Sequence, residues 1–277
     1  MMPLPKRVLW LSALFVGVVT AACGGTSASY QVTTTVVTGE HTRDIWVTAP
    51  DDATSDAWGT WPVVYLMHGL GGSGESLSTM AAEIARHGVV VFAPDYRSTE
   101  FAHIEQDAEC GYRYAVTIAE DFGGDVRRPP AMVGHSMGAS IGLFGSMSED
   151  AYGPEGTYDR CYTGTPRSDV IVAIAGCYYE FEGNTFTFDT SPYTNDDAEI
   201  VLVVGSEDNV CEPWQSQDAM DALRADGHEV TLIEIDGGDH ANVTFHEIVD
   251  GEWLLAPDDP AGNEVVEIIM EAIEGSG

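Results

Sequence analysis

Residues 134–138 (GHSMG) form the segment whose residue types and spacing most clearly suggest chemistry. The segment follows a short apolar run at 131–133 and precedes small and apolar residues at 139–147, as in a sharp turn from a strand into a helix. Flanking glycines would let the strand and helix approach closely and expose the Ser136 hydroxyl above the helix N-terminus. The helix dipole favours developing negative charge there. This context predicts that Ser136 is a nucleophile rather than only an N-cap residue of a tight turn.

A serine hydroxyl is a weak nucleophile and needs a base, which is itself oriented by an acid. In the arrangement around such a turn, the acid precedes the base and both follow the serine in the chain. The apolar run 200–204 leads into Asp208, where an orienting carboxylate is expected. Asp208 is therefore the predicted acid, with Glu207 and Asp236 as alternatives.

The base is predicted from the next apolar run, residues 230–235. This run leads through a glycine-rich segment to His240, which could reach back over Ser136. His246, on a predicted helix, is the alternative, and His228 precedes the run and so belongs to the wrong end of the sheet. The Asp208 carboxylate would fix the tautomer of His240 and stabilise its imidazolium form.

Two backbone N–H groups are predicted to stabilise the negative charge that develops on an attacked carbonyl oxygen. One belongs to Met137, directly after the nucleophile, and the other to the loop 68–74 (HGLGGSG). Leu70 is the preferred donor in that loop and Gly71 the alternative. We assign His68 and His135 structural roles, bracing the loop and packing beside the nucleophile.

Strand-like and helix-like segments alternate along most of the chain, which predicts a mostly parallel sheet with helices on both faces. The predicted strands are a hairpin at 30–38 and 41–50, then 61–67, 89–93, 131–133, 170–175, 200–204 and 230–235. The predicted helices are 75–87, 107–122, 139–147, 213–225 and 264–273. Residues 51–60 read as a loop, and residues 178–198, which lack clear periodicity, as a small cap or binding loop.

The first 23 residues resemble an export signal rather than part of the fold. Lys6 and Arg7 precede an apolar run at 8–19, which is too short for a comfortable membrane span. The sequence TAAC at 20–23 resembles a lipobox, in which Cys23 would be lipidated. We expect a signal peptide at 1–23, a flexible tether at 24–29 and one domain at 30–277, in a protein that is secreted or anchored at the cell surface.

The composition excludes some partners. The chain has 277 residues, with 45 acidic residues against 11 basic ones and a formal net charge of −34. Loss of Lys6 and Arg7 with the signal would leave 9 basic residues and a net charge of −36. This charge argues against nucleic acid and against electrostatic docking on anionic lipid, so membrane contact is expected only through Cys23.

The remaining four cysteines suggest two disulfides, as expected in an exported chain. They are Cys110, Cys161, Cys177 and Cys211, and three pairings are possible. None of their spacings resembles a zinc motif, and no phosphate-binding loop is present. We therefore expect neither a metal nor a cofactor.

Taken together, the motifs resemble those of the α/β-hydrolases, in particular the small dienelactone-hydrolase, cutinase and polyester-hydrolase type. The resemblance covers about residues 30–275 and is carried by His68-Gly69, the turn at Ser136, Gly205-x-x-Asp208 and Gly238-x-His240. Dienelactone hydrolases proper use a cysteine nucleophile, where this chain has serine.

The resemblance implies an α/β-hydrolase fold and cleavage of carboxylic esters through an acyl-enzyme on Ser136. The short spacing between Ser136 and Asp208 leaves little room for a lid, and an open cleft would suit small esters or the exposed ends of a polymer. We expect a monomer. A serine peptidase or amidase with the same triad, and a non-catalytic binding protein on the same fold, are the alternatives. Trp214 would line the cleft or pack in the core. Neighbouring strand ends in this fold favour a Cys177–Cys211 disulfide, which leaves Cys110 with Cys161.

Overall fold

The apolar runs of the sequence form the strands of one large sheet, and amphipathic segments cover both of its faces. The computed structural model describes residues 29–38, 41–51, 59–98, 101–148, 167–181, 183–185 and 187–275. The strands are β1 (Ser29–Thr38), β2 (His41–Pro50), β3 (Val63–Met67), β4 (Val90–Pro94), β5 (Ala131–His135), β6 (Val170–Ile174), β7 (Glu180–Phe181), β8 (Asn184–Thr185), β9 (Glu199–Gly205), β10 (Val230–Ile235), β11 (His246–Val249) and β12 (Glu252–Leu255). The helices are α1 (Ser78–Arg86), α2 (Phe101–Ile118), α3 (Met137–Met147), α4 (Pro213–Ala225) and α5 (Pro260–Gly275).

Eight strands form the central sheet in the order β1-β2-β4-β3-β5-β6-β9-β10. The predicted hairpin forms its antiparallel edge, where β1 pairs with β2 and β2 with β4. The other neighbours in this sheet order, from β4 through β3, β5, β6 and β9 to β10, pair in parallel. Their carboxyl ends therefore meet at one edge of the sheet, where the loops after β3, β5, β9 and β10 come together.

Alternating side chains of the buried strands pack into two layers. On one face, Val64 and Leu66 of β3 pack with the apolar sides of α1 and α5. On the other face, Tyr65 and Met67 pack with α2, while the neighbouring strands pack with α3 and α4. The continuous apolar strands thus reflect a sheet that is buried on both sides.

Several elements differ from the sequence prediction. The predicted helix at 75–87 begins as a 3-10 turn (Glu75–Leu77), which α1 follows. The predicted helix at 107–122 begins six residues earlier than expected, as α2, and ends in a 3-10 turn (Ala119–Phe122). The predicted helix around His246 is wrong, because His246 begins β11, which pairs only with β12. Asp250-Gly251 joins these strands with positive φ angles of 53° and 83°, the backbone that a tight hairpin turn requires.

In the segment 178–198, predicted as a small cap or binding loop, a few aromatic side chains anchor the chain to the core, while most of the described residues are exposed. Tyr178 and Tyr193 are buried and contact Phe188 through their rings. The segment includes the short β7–β8 hairpin.

No helix in the described ranges is long and apolar enough to cross a membrane. The predicted signal peptide with Cys23, residues 24–28 of the predicted tether, and Cys161 lie outside the described residues. The predicted tether is one residue too long, because Ser29 begins β1 and pairs with Pro50.

Candidate active site

Ser136 stands at the turn between β5 and α3 in a backbone conformation that side chains rarely adopt, with φ 57° and ψ −122°. Such strain is typical of functional positions, where the surrounding structure maintains it. A Cβ atom at Gly134 would collide with the carbonyl group of Gly138, and one at Gly138 would lie 2.5 Å from the carbonyl oxygen of His68. The two glycines therefore allow the strand, the helix and the loop after β3 to meet around Ser136.

The structure brings Ser136, His240 and Asp208 together in one hydrogen-bonded series. Nε2 of His240 lies 3.0 Å from Oγ of Ser136. Nδ1 of His240 lies 2.8 Å from Oδ2 of Asp208. Because a carboxylate only accepts, Nδ1 carries the proton, and Nε2 is free to accept the hydroxyl proton of Ser136. All three residues are buried.

The acid loop holds Asp208 through its second oxygen. Oδ1 accepts hydrogen bonds from the N–H groups of Val210 at 2.8 Å and Cys211 at 2.9 Å. The alternative acids Glu207 and Asp236 are exposed. Of the three candidate acids, Asp208 is therefore the one that faces the histidine.

His135, next to the nucleophile, supports the base. Its Nε2–H donates to the backbone carbonyl of His240 at 2.8 Å. Burial, and secondarily the charge of His240, lower the pKa of His135 well below the usual histidine value. His135 is thus a neutral donor that fixes the backbone position of His240, a relationship that the sequence did not reveal.

His68 braces the loop after β3. Its ring stacks on Tyr96 at 4.0 Å between centroids, and Nδ1–H donates to the Gly69 carbonyl at 2.7 Å. The Tyr96 hydroxyl donates to the His68 carbonyl. Burial lowers the pKa of His68 to about 4, so the ring is neutral at pH 7.

The loop after β3 also lies against the nucleophile. A Cβ atom at Gly69 would lie 3.0 Å from Cβ of Ser136. The N–H of Gly71, the alternative oxyanion donor, already donates to Oγ of Ser98 at 2.8 Å, and Leu70 stays the predicted donor. Met137 is the first residue of α3, where N–H groups lack acceptors within the helix.

A disulfide borders the reacting groups. Cys177 and Cys211 form it, as the resemblance implied, with their Cα atoms 4.8 Å apart. Sγ of Cys211 lies 4.0 Å from Oγ of Ser136 and 3.9 Å from Nε2 of His240. The bridge thus links the segment after β6 to the loop that carries Asp208.

A cleft of about 1080 Å³ opens over Ser136 and His240. Its walls are the loop after β3, the start of the helical segment at 75–78, residues 209–210 of the acid loop, and the β11–β12 hairpin. The sequence prediction missed this hairpin, although Asp250-Gly251 between apolar residues is a hairpin signal.

The other candidate residues from the sequence do not join the series of Ser136, His240 and Asp208. Trp214 is not among the cleft residues; its indole N–H donates to Glu212 at 2.7 Å, and its ring contacts Tyr179. His246 lines the cleft, with Nδ1 3.3 Å from Oγ1 of Thr244 rather than at the serine. His228 lies 3.9 Å from Asp196, at the opposite end of the sheet.

Two family models match parts of the sequence. The alpha/beta hydrolase family model matches residues 63–177, which include Ser136. The model of platelet-activating factor acetylhydrolase, isoform II, matches residues 6–109, a range without any of the three triad residues. No curated protein matches the chain.

Solved structures with a similar fold include those of an esterase from the planctomycete Thermogutta terrifontis. The native form of this thermophilic esterase, Est2, is 16% identical, with a TM-score of 0.66 over 88% of this chain and 92% of the esterase. Its propionate-bound form is 15% identical, with a TM-score of 0.67 over 88% and 94%. The form phosphorylated by paraoxon is 15% identical, with a TM-score of 0.68 over 89% and 94%. These structures share one architecture with this chain, so the chain has the α/β-hydrolase fold.

Proposed function

We propose that the protein is a serine hydrolase of carboxylic esters. The observation that carries the proposal is the series Ser136–His240–Asp208, with its distances of 3.0 and 2.8 Å, at the base of an open cleft. The similar esterase from Thermogutta terrifontis binds propionate and is phosphorylated by paraoxon, which supports the same chemistry here.

The proposed reaction begins with attack of Ser136 Oγ on the ester carbonyl carbon while His240 Nε2 takes the hydroxyl proton. The carbonyl electron pair moves to oxygen, where the N–H groups of Leu70 and Met137 would stabilise it. Collapse of this intermediate expels the alcohol, which takes the proton from His240. Water, activated by His240, then attacks the acyl-enzyme and releases the acid.

The decisive test is Ser136→Ala, assayed with short p-nitrophenyl esters. We expect turnover to disappear while the thermal unfolding midpoint stays close to that of the wild type. A fluorophosphonate probe should label the wild type at Ser136 and leave the variant unlabelled. Undiminished ester turnover in the variant would refute the proposal.

A matched ester and amide pair separates esterase from peptidase or amidase activity. We expect cleavage of the ester and little of the amide, because an amine is a poorer leaving group than an alcohol. Faster amide cleavage would favour the peptidase. A protein that is not labelled by the fluorophosphonate probe and cleaves neither substrate would instead be a binding protein on this fold.

We also propose the finer assignments that the sequence suggests: a cutinase- or polyester-hydrolase-like preference, an exported chain lipidated at Cys23, and a monomer. Their support is the lipobox-like sequence at 20–23 and the open cleft. Hydrolysis of a polyester film tests the substrate preference. Mass spectrometry of the mature N-terminus, with Cys23→Ala as control, tests the lipidation, and light scattering tests the monomeric state.

A further inference from the structure

The β11–β12 hairpin lies between the base and the last helix of the chain. It follows His240 and the 3-10 turn Asn242–Thr244, and it precedes α5. It pairs with no strand of the central sheet. The hairpin therefore contributes side chains to the cleft without being part of the central sheet.

The register of the hairpin separates its two faces. His246 pairs with Leu255 and Ile248 with Trp253, and residues directly opposite in an antiparallel pair point to the same face. All four of these residues line the cleft. The opposite face carries two glutamates and two apolar residues: Glu247, Val249, Glu252 and Leu254.

The inner face leaves apolar surface uncovered at the cleft. Ile248 and Trp253 are each 48% exposed and Leu255 is 56% exposed. Five of the seven large hydrophobic side chains that are exposed in the described ranges belong to this hairpin. A concave site with apolar walls is typical of a ligand pocket, where the ligand covers such surface.

The position of Trp253 indicates which half of an ester would meet this wall. Its ring stands edge-on to those of His240, His135 and His246, with centroids 6.2, 6.3 and 5.6 Å apart. In the reaction proposed above, His240 must donate a proton to the leaving oxygen. The alcohol half of the ester therefore has to lie on the His240 side of Ser136, where Trp253 stands.

We propose that Ile248, Trp253 and Leu255 form the binding wall for an apolar leaving alcohol. The inference rests on the proposed esterase function and names its substrate class: esters of uncharged alcohols with a hydrocarbon chain or ring. Glu75 lies exposed in the same cleft, and the hairpin carries Glu247 and Glu252 on its other face. Like-charge repulsion then disfavours alcohols that carry an anionic group.

The test compares kcat/KM for ethyl acetate, hexyl acetate and ethyl hexanoate. The two acetates form the same acetyl-enzyme, so their difference in kcat/KM reports only the steps in which the alcohol is still present. Each methylene buried on the wall contributes about fourfold. We expect wild-type enzyme to prefer hexyl over ethyl acetate by at least tenfold, and Trp253→Ala to remove most of that preference.

Ile248→Ala should lower the same preference by several-fold, and it provides a second measurement should Trp253→Ala unfold. Leu254→Ala is the matched control, because Leu254 lies on the same hairpin but on its outer face. We expect this control to keep the hexyl preference, and all three variants to keep the ratio of ethyl hexanoate to ethyl acetate.

An unchanged hexyl preference in both wall variants, an equal loss in Leu254→Ala, or a loss confined to ethyl hexanoate would overturn the inference. In each of these cases wild-type turnover still upholds the esterase function. Wild-type enzyme that cleaves neither these three esters nor short p-nitrophenyl esters overturns both.

Discussion

Sγ of Cys211 lies 3.9 Å from Nε2 of His240, so the disulfide between Cys177 and Cys211 is in contact with the proposed base. The N–H of Cys211 also donates to Oδ1 of Asp208 at 2.9 Å. The bridge thus holds the backbone that supports the acid and at the same time packs against the histidine. It ties the geometry of the site to a covalent bond across 34 residues of chain.

Removal of this bridge should impair both stability and turnover. For the paired change Cys177→Ala and Cys211→Ala, we expect a loss of about 3 to 4 kcal/mol in the free energy of unfolding, because the unfolded chain regains its freedom. The acid loop should loosen, and kcat should fall at least tenfold. Urea unfolding and ester assays measure the two effects.

Reductant provides the control for that experiment. Treatment of the wild type should reproduce the loss, while the double variant should lose little further kcat under reductant. A double variant with wild-type kcat would show that the bridge does not support the site.

Asp208→Asn should nearly abolish turnover without unfolding the protein. An amide at this position favours the wrong tautomer of His240, and in another serine hydrolase this change lowers kcat by about 10⁴-fold. We expect a loss of 10³- to 10⁴-fold in kcat on p-nitrophenyl esters, on the scale of that precedent.

Glu207→Gln and Asp236→Asn are the matched controls for Asp208. Both carboxylates are exposed, and both variants should keep kcat within about twofold, as is usual for surface changes. If either control matched the loss in Asp208→Asn, the assignment of the acid would be wrong.

His68 should make the free energy of unfolding depend on pH in the acidic range. Its pKa in the folded protein is about 4, whereas in the unfolded chain it takes up a proton near 6.5. The unfolded state therefore binds more protons between pH 6.5 and 4, and this residue's contribution to stability is complete above pH 6.5. At pH 5 the contribution of His68 to the free energy of unfolding is about 2 kcal/mol smaller than above pH 6.5.

The measurement is the difference in unfolding free energy between wild type and His68→Asn at pH 7.5 and at pH 5. The variant lacks the titration, so it should lose less stability on acidification than the wild type. Equal losses in the two proteins would contradict the depressed pKa.

The surplus of acidic residues should make stability increase with salt. With 45 acidic and 11 basic residues, most carboxylates have no possible basic partner. Salt screens their mutual repulsion, which suggests adaptation to a salty environment. We expect the unfolding midpoint to rise by about 5 °C or more between 0.1 and 2 M NaCl, which corresponds to about 2 kcal/mol.

An uncharged osmolyte, such as sucrose at matched osmolality, should raise the midpoint less, because it does not screen charge. A midpoint that falls with NaCl would count against the adaptation.

Much of the fold and of the candidate site could be predicted because its signals are local. A continuous apolar run such as that in β9 is stable only when it is buried on both faces of a sheet. The loop that follows it, which carries Asp208, must then emerge at the sheet edge. The strand β10 also leads to its site residue, His240, although the prediction of a fully buried strand there is wrong: β10 forms an edge of the sheet, and its Thr231 and Glu234 are exposed. The glycines around Ser136 indicate the sharp turn without any knowledge of what packs there.

The remaining features depend on contacts between distant segments. The hydrogen bond from the Gly71 N–H to Ser98, which favours Leu70 as the oxyanion donor, joins residues 27 positions apart. The hydrogen bond from His135 to the His240 carbonyl joins residues 105 positions apart. The position of Trp214 outside the cleft likewise follows from its packing on Tyr179.

The hairpin that walls the cleft shows the limit most clearly. Its strands are four residues long, which is too short for periodicity to separate a strand from a helix around His246. Sequence alone determined the order and placement of the groups proposed for chemistry, since chain order and strand ends suffice for that. Only the tertiary structure decided which surface faces Ser136, because side chains from separate loops meet there through packing.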